Sequence, residues 1–317
     1  MLGRRVIASD INPVAFCISS AKARPPSLGR ILKRIDSLEV AYFNAKREGR
    51  SGHTLPRFFD LAFQRDTLAQ ILFMRRRLRW KSRVIDRFIA ALMLEQLHGE
   101  ADHSPNFFSN QMPHTISTKP AYSVQYWRKR GLRPPRRDVF AILRDRAVFR
   151  LAQGRPIGDT RVVCSDARQL SRRFRKDTQR VSAVITSPPY LDVTSFEEDQ
   201  WLRLWFLGGP TRPVAGTCSK DDRHRSELRY WQFLVESWKG IAPLLKRRSV
   251  IVCRVGSRRH SQEELDQRVR QSLTEAWSLV SHVGGPVVSR LRGSRATLMQ
   301  AESTGCRFEV DVAYRVS

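Results

Sequence analysis

The residues Val181 to Thr186 form an apolar, strand-like run that passes without interruption into Ser187-Pro188-Pro189-Tyr190, and that junction limits what the chain can fold into. Prolines have a fixed φ and no amide hydrogen, so no sheet ladder continues through two of them. The strand must end there, with the carbonyls of the turn left as free acceptors. Two more short apolar runs close on polar residues: Arg4-Arg5-Val6-Ile7-Ala8-Ser9-Asp10, and Arg161-Val162-Val163-Cys164-Ser165-Asp166. After the first of these, Asn12-Pro13 provides a helix cap and a proline at the first helical position. Strand, tight turn and helix in succession are the building unit of a doubly wound α/β sheet with buried strands. Ligands of open parallel sheets sit outside the carboxyl ends of the strands, so Asp10, Asp166 and Ser187 are expected to converge on one site.

Between the first two runs the texture changes to Arg-rich helices and polar loops without strand-like alternation. The expected organisation is therefore residues 1–23 as the start of the α/β domain, 24–159 as a basic helical insertion, and 160–317 as the remainder. Within the insertion, Val84, Ile85, Phe88, Ile89, Leu92, Met93 and Leu97 repeat at helical spacing. Just ahead of them stands Arg75-Arg76-Arg77-Leu78-Arg79-Trp80-Lys81-Ser82-Arg83. A like-charged run is commonly a solvated face. Here a tryptophan is interleaved, and the whole chain carries 57 Lys and Arg against 30 Asp and Glu, a formal charge of +27, so phosphate contact is expected. A long loop over residues 101–135 contains Tyr122, Tyr126 and Trp127; Tyr126 and Trp127 join Arg75, Arg76, Arg77, Arg79, Lys81 and Arg83 as the candidate DNA-contacting set.

Further on, residues 226–245 read as one helix with Leu228, Trp231, Leu234, Val235, Trp238, Ile241 and Leu245 along a core stripe, followed by a strand from Ser249 to Val255. Phe308, Val310, Val312, Tyr314 and Val316 alternate with polar or small residues, and with Pro286 to Leu291 they predict a hairpin at the sheet edge. The five cysteines are odd in number and widely spaced, which predicts reduced core thiols and no disulfide framework. The seven histidines show no metal-ligand spacing with them, so no metal is expected. No apolar run reaches the roughly 18 residues of a membrane span, and no signal peptide is visible. A cytoplasmic protein with no membrane partner is expected.

The proline turn suggests specific chemistry. An exocyclic base amine is a weak nucleophile because its lone pair is delocalised into the ring. Hydrogen bonds from its protons to the Ser187 side chain and the Pro188 carbonyl would favour a pyramidal nitrogen and aim its lone pair. Tyr190 would stack on a base rotated out of its duplex. A neutral serine holds positive charge less well than an aspartate, and the proton is expected to leave to water.

At this point the sequence resembles the DNA amino-methyltransferases, which make N4-methylcytosine and N6-methyladenine. The segment from Gly3 to Pro13 looks like the family's second motif, Ser165-Asp166-Ala167-Arg168 like its third, and Thr186 to Tyr190 like its catalytic fourth motif in the cytosine-N4 form. The likeness covers residues 1–23 and 160–256. It implies a Rossmann-like methyltransferase sheet and S-adenosyl-L-methionine as cofactor, with Asp10 on the ribose, Ile11 against the adenine, and Asp166, Ala167 and Thr186 completing the cofactor contacts. Ser187, Pro188, Pro189 and Tyr190 are the implied catalytic residues, and the basic segment is the implied target-recognition region for double-stranded DNA.

Two departures stand out. Lys246-Arg247-Arg248-Ser249 occupies a position where relatives often have a glycine turn. The Gly-rich first motif, borne in the family by a central strand between those ending at Asp10 and Ser187, should lie upstream of Gly3 and is not found. The sheet is thus expected to be incomplete at that strand, cofactor binding by this chain weak or absent, and a separate chain bearing the motif, or a cognate restriction enzyme, a further partner. Adenine-N6 methylation is the alternative within the class. RNA or protein amide methylation and a truncated, inactive DNA-binding remnant are the alternatives outside it.

Overall fold

The computed structural model describes residues 3–47, 55–99, 106–110, 119–156, 158–191, 196–214, 226–290 and 308–317. It is a mixed α/β structure of two compact units, Met1–Cys164 with Phe196–Cys218, and Ser165–Ser195 with Ser219–Ser317.

The first unit holds β1 (Val6–Asp10), α1 (Pro13–Ala23), α2 (Leu28–Arg47), α3 (Phe58–Ala62), α4 (Arg65–Arg77), α5 (Val84–Gln96), α6 (Pro120–Lys129), α7 (Val139–Leu151), β2 (Thr160–Cys164) and α9 (Phe196–Phe206). Strands β1 and β2 pair in parallel from Val6 opposite Thr160 to Asp10 opposite Cys164. The Asn12 side chain accepts from the Val14 amide and Pro13 stands at the first helical position, as the Asn-Pro pair predicts. Val14, Cys17 and Ala21, one stripe of α1, are buried against α5, and the predicted apolar face of α5 is buried from Phe88 to Leu97. The compact units therefore do not part at residues 23/24 and 159/160. The apolar faces of α1 and α5 need each other, and this ties the first strand and helix to the helical segment.

The second unit holds α8 (Leu170–Arg173), β3 (Val181–Thr186), α10 (Glu227–Ile241), β4 (Leu245–Val255), α11 (Gln262–Thr274), β5 (Val280–His282), β6 (Val287–Arg290) and β7 (Phe308–Val316). Its mixed sheet runs β3-β4-β7-β5, with β6 also on β7. The β3/β4 pair is parallel, and β7 is antiparallel to β4, β5 and β6. The predicted hairpin partner of β7 is thus present as β6, but β7 lies inside the sheet and not at its edge. The stripe of α10 is buried at Trp231, Leu234, Trp238 and Ile241. It does not extend to Leu228, which is 80% exposed in the first turn, nor to Leu245, which opens β4.

Among the described strands, β1 pairs only with β2 and β3 only with β4. That corrects the expectation of buried strands: no residue of β1 or β3 is fully buried, and Ile185 is 84% exposed. A strand's apolar pattern reports what it can bury, not whether a neighbour is present to bury it. Of the three described cysteines, Cys17 and Cys253 are buried as expected, while Cys164 is exposed at the end of β2. Residues 120–129 of the predicted long loop are helix α6, which opens on Pro120 after Lys119; residues 101–105 and 111–118 lie outside the described residues. No helix among the described residues is long and apolar enough to cross a membrane.

Helix α10 approaches the backbone around Arg168 so closely that a Cβ on Gly240 would lie 2.5 Å from the Arg168 Cα and 2.6 Å from its carbonyl oxygen. Neither atom can swing aside as a side-chain tip could. Gly240→Ala is expected to destabilise the second unit by about 1–3 kcal/mol, read as a lower urea midpoint. An unchanged midpoint would show that the contact yields freely.

Candidate active site and nucleic-acid surface

In the second unit, Ser187 stands exposed just past the carboxyl end of β3, and Tyr190 is half-buried beside it. The Ser187 hydroxyl donates to the Tyr190 oxygen at 3.4 Å. The Tyr190 hydroxyl in turn donates to Glu309 Oε1 of β7 at 2.8 Å. Burial pushes the Tyr190 phenol up to about 12, with the neighbouring Glu309 carboxylate adding to the rise and the Ser187 contact opposing it. Tyr190 therefore stays neutral at physiological pH, with one edge tethered and the turn open to solvent. Pro188 is half-buried and Pro189 exposed.

Glu309 is held within a charged cluster. Arg254 of β4 grips Asp311 with Nε at 2.7 Å and Nη2 at 2.6 Å, and reaches Glu309 Oε2 at 3.4 Å through Nη1. The antiparallel register sets Arg254 opposite Asp311, and Glu309 lies two residues earlier on the same face of β7. The ion pair with Arg254 holds the Asp311 carboxyl below its usual range. Sequence reasoning did not single out Glu309 or Arg254. The alternation of β7 marks Glu309 and Asp311 as its polar face, but 119 residues separate Glu309 from Tyr190.

Asp166 is largely buried in the same unit. Its Oδ1 accepts from the Arg168 amide at 2.9 Å, capping a 3-10 turn over Ala167–Gln169. The Arg168 guanidinium also covers both carboxylate oxygens, with Nε 3.0 Å from each and Nη2 2.5 Å from Oδ2, and extends to Glu236 at 3.1 Å. An adenine amine would have to displace that fork. The site implied for Asp166 is thus closed as it stands.

Asp10 belongs to the first unit. Its Oδ1 accepts from the Asn12 amide at 2.8 Å, and desolvation of the carboxyl raises its pKa against that hydrogen bond. Ile11 beside it is 41% exposed. An acceptor next to an open apolar side chain suits a ribose with its attached base. Desolvation, then the charge of Asp10, pushes the Cys164 thiol up, while Lys81 opposes both. Asp10 and Ser187 lie in different units.

The predicted DNA-contacting set divides by environment. Arg76, Arg77, Arg79, Lys81 and Arg83 are exposed. The turn that carries the last three is fixed from below: the Arg79 amide donates to Asp86 at 3.0 Å, and Arg87 donates to the carbonyls of Trp80 at 2.9 Å and Lys81 at 2.6 Å. Arg75 points elsewhere. It donates to the carbonyls of Trp205 at 2.8 Å and Gly209 at 3.2 Å, which satisfies orphan groups at the end of α9. Trp127 is a correction, since it is 0% exposed and packs 5.5 Å from Phe58. Its size and the apolar side of α6 draw it into the core, so it offers no face to a base. Tyr126 is half-buried, with the Arg130 guanidinium 3.9 Å from its ring centre. Among the described residues, no three His, Cys, Asp or Glu side chains come together as a metal ion would need.

No protein-family model matches this sequence, and no curated protein matches it.

Proposed function

We propose that this chain methylates an exocyclic amine of a DNA base, cytosine N4 first and adenine N6 as the alternative, with S-adenosylmethionine as the methyl source. The observation that carries the reading is the pair of hydroxyls of Ser187 and Tyr190, 3.4 Å apart on a proline-stiffened turn at the open end of β3. An extruded base set against the Tyr190 ring would present its amine protons to the Ser187 oxygen and the Pro188 carbonyl, and fixed acceptors of that kind direct the nitrogen lone pair.

The bound cofactor would supply a methyl group on a sulfonium centre. Asp10 and Ile11 fit its ribose and adenine, whereas Asp166 fits only if Arg168 releases it. The Rossmann-like sheet is part of the same proposal. In that sheet the strands ending at Asp10 and Ser187 flank a central strand; among the described residues β1 and β3 each have one unpaired edge, as do β2, β5 and β6. The rigid cationic turn of Arg79, Lys81 and Arg83, with Arg76 and Arg77, supplies phosphate contacts whose strength falls as salt rises. The closed carboxylate of Asp166 favours a second reading, a DNA-binding protein without catalysis.

One experiment separates the two. Ser187→Ala is placed at the chromosomal locus, protein abundance is checked, and the genome is read by single-molecule sequencing with nucleoside mass spectrometry. N4-methylcytosine should vanish from one short sequence. Loss of N6-methyladenine instead would reassign the base. An unaltered methylation pattern rejects the enzyme in favour of the binding protein.

A further inference from the structure

We propose that Glu309 is the proton acceptor that serves Ser187 through Tyr190, an inference that rests on the reading of Ser187 as the residue in contact with the base amine. A neutral serine alone has nowhere to store the proton that an alkylated amine must lose. Here a carboxylate stands two hydrogen bonds away, and both bonds point toward it: Ser187 donates to Tyr190, and Tyr190 donates to Glu309.

The step balances. The amine N–H bond breaks with its electron pair kept on nitrogen, and the proton goes to Ser187 Oγ. Ser187 gives its own proton to Tyr190 Oη, and Tyr190 passes its proton to Glu309 Oε1. Serine and tyrosine end as they began. The carboxylate ends as a neutral acid, which later releases its proton to solvent.

The arrangement around Glu309 keeps it available for this role. Arg254 spends the fork of its guanidinium on Asp311, at 2.7 and 2.6 Å, and keeps only one long contact of 3.4 Å to Glu309. Asp311 thus shields Glu309 from a full ion pair, while Arg254 still orients it. Glu309 acts through Tyr190 and is a positioning residue. Were it only a staple for the Tyr190 ring, an acceptor oxygen without basicity would serve equally well.

Glu309→Gln keeps that oxygen and removes the basicity, and Glu309→Asp keeps the basicity on a shorter arm. The first readout needs no activity. In the purified chain, phenolate absorbance that disappears in Tyr190→Phe defines the Tyr190 component, near pH 12 in the unaltered chain. Glu309→Gln should move it downward, because the negative charge that disfavours phenolate is gone; an unmoved component shows that the contact is not made and overturns the proposal. The second readout is the rate at which cells carrying each chromosomal variant mark an incoming unmethylated plasmid. Glu309→Gln should slow it by about 100-fold, the lower range for a lost proton-transfer group, with Glu309→Asp recovering part of the rate at equal protein abundance. Equal rates in Glu309→Gln and the unaltered chain sink the relay and leave the Ser187 assignment standing. If the unaltered chain places no mark, the Ser187 assignment fails and the relay falls with it.

Discussion

Asp86→Ala is expected to lower the stability of the first unit by about 3–5 kcal/mol, the range for breaking a buried ion pair from one side. Asp86 is 1% exposed on α5. Its two oxygens take the Arg34 guanidinium of α2 at 2.8 and 3.3 Å, and Oδ2 also takes the Arg79 amide at 3.0 Å. Removing the carboxylate strands a half-buried cation and a backbone donor together. The penalty comes from what is left behind and not from the net strength of the pair, so Arg34→Met combined with Asp86→Ala should recover part of the loss. Urea unfolding of the single and double variants measures both. A single-variant loss under about 1 kcal/mol would mean that water reaches Arg34 and Arg79.

The same substitution has a functional side. Asp86 is one of the ties that hold the turn of Arg79, Lys81 and Arg83 in a single conformation, and a mobile cationic turn must be ordered again on each encounter with phosphate. On the proposed DNA-binding reading, Asp86→Ala should therefore weaken duplex binding even where the unit remains folded, while leaving the salt slope almost unchanged, because none of the proposed phosphate-contacting cations is removed.

Asp86 also shows where sequence reading reaches its limit. Its place on α5 follows from helical spacing, but its partners lie 52 residues before it and 7 residues before it, and only the second is local. Features decided within a few residues were legible: the Asn12 cap, the apolar face of α5, and the alternation of β7. Features decided by what lies alongside were not. The apolar run of β3 was legible as a strand, but not the uncovered face that leaves Ile185 84% exposed. Trp127, placed in a long loop and among the DNA-contacting residues, is core, on the same side of α6 as the buried Ser123. In the candidate site, Ser187 and Tyr190 were legible from the proline turn. Glu309 was not, because sheet register brings β7 to that turn and no local pattern encodes the register.

Trp201→Ala should remove about 3–5 kcal/mol, the usual cost of emptying a buried aromatic site. Trp201 is 2% exposed in α9, with its ring 4.9 Å from Phe58 and 6.1 Å from Phe59, both met edge-on. One turn later Trp205 lies 4.5 Å from Phe59, so α9 is anchored on α3 by two neighbouring indoles. Edge-to-face contacts add about 0.5–1.5 kcal/mol to the area they bury, and the surrounding helices cannot collapse fully into a tryptophan-sized void. Trp201→Phe keeps an aromatic edge for Phe58 and leaves a smaller void, so it should lose less than half as much. Equal losses for the two variants in urea unfolding would mean that the indole's specific fit matters more than its volume; a loss below about 1.5 kcal/mol for alanine would mean that Trp205 alone holds the helix. The helix is the first described element after the Ser187–Tyr190 turn in sequence.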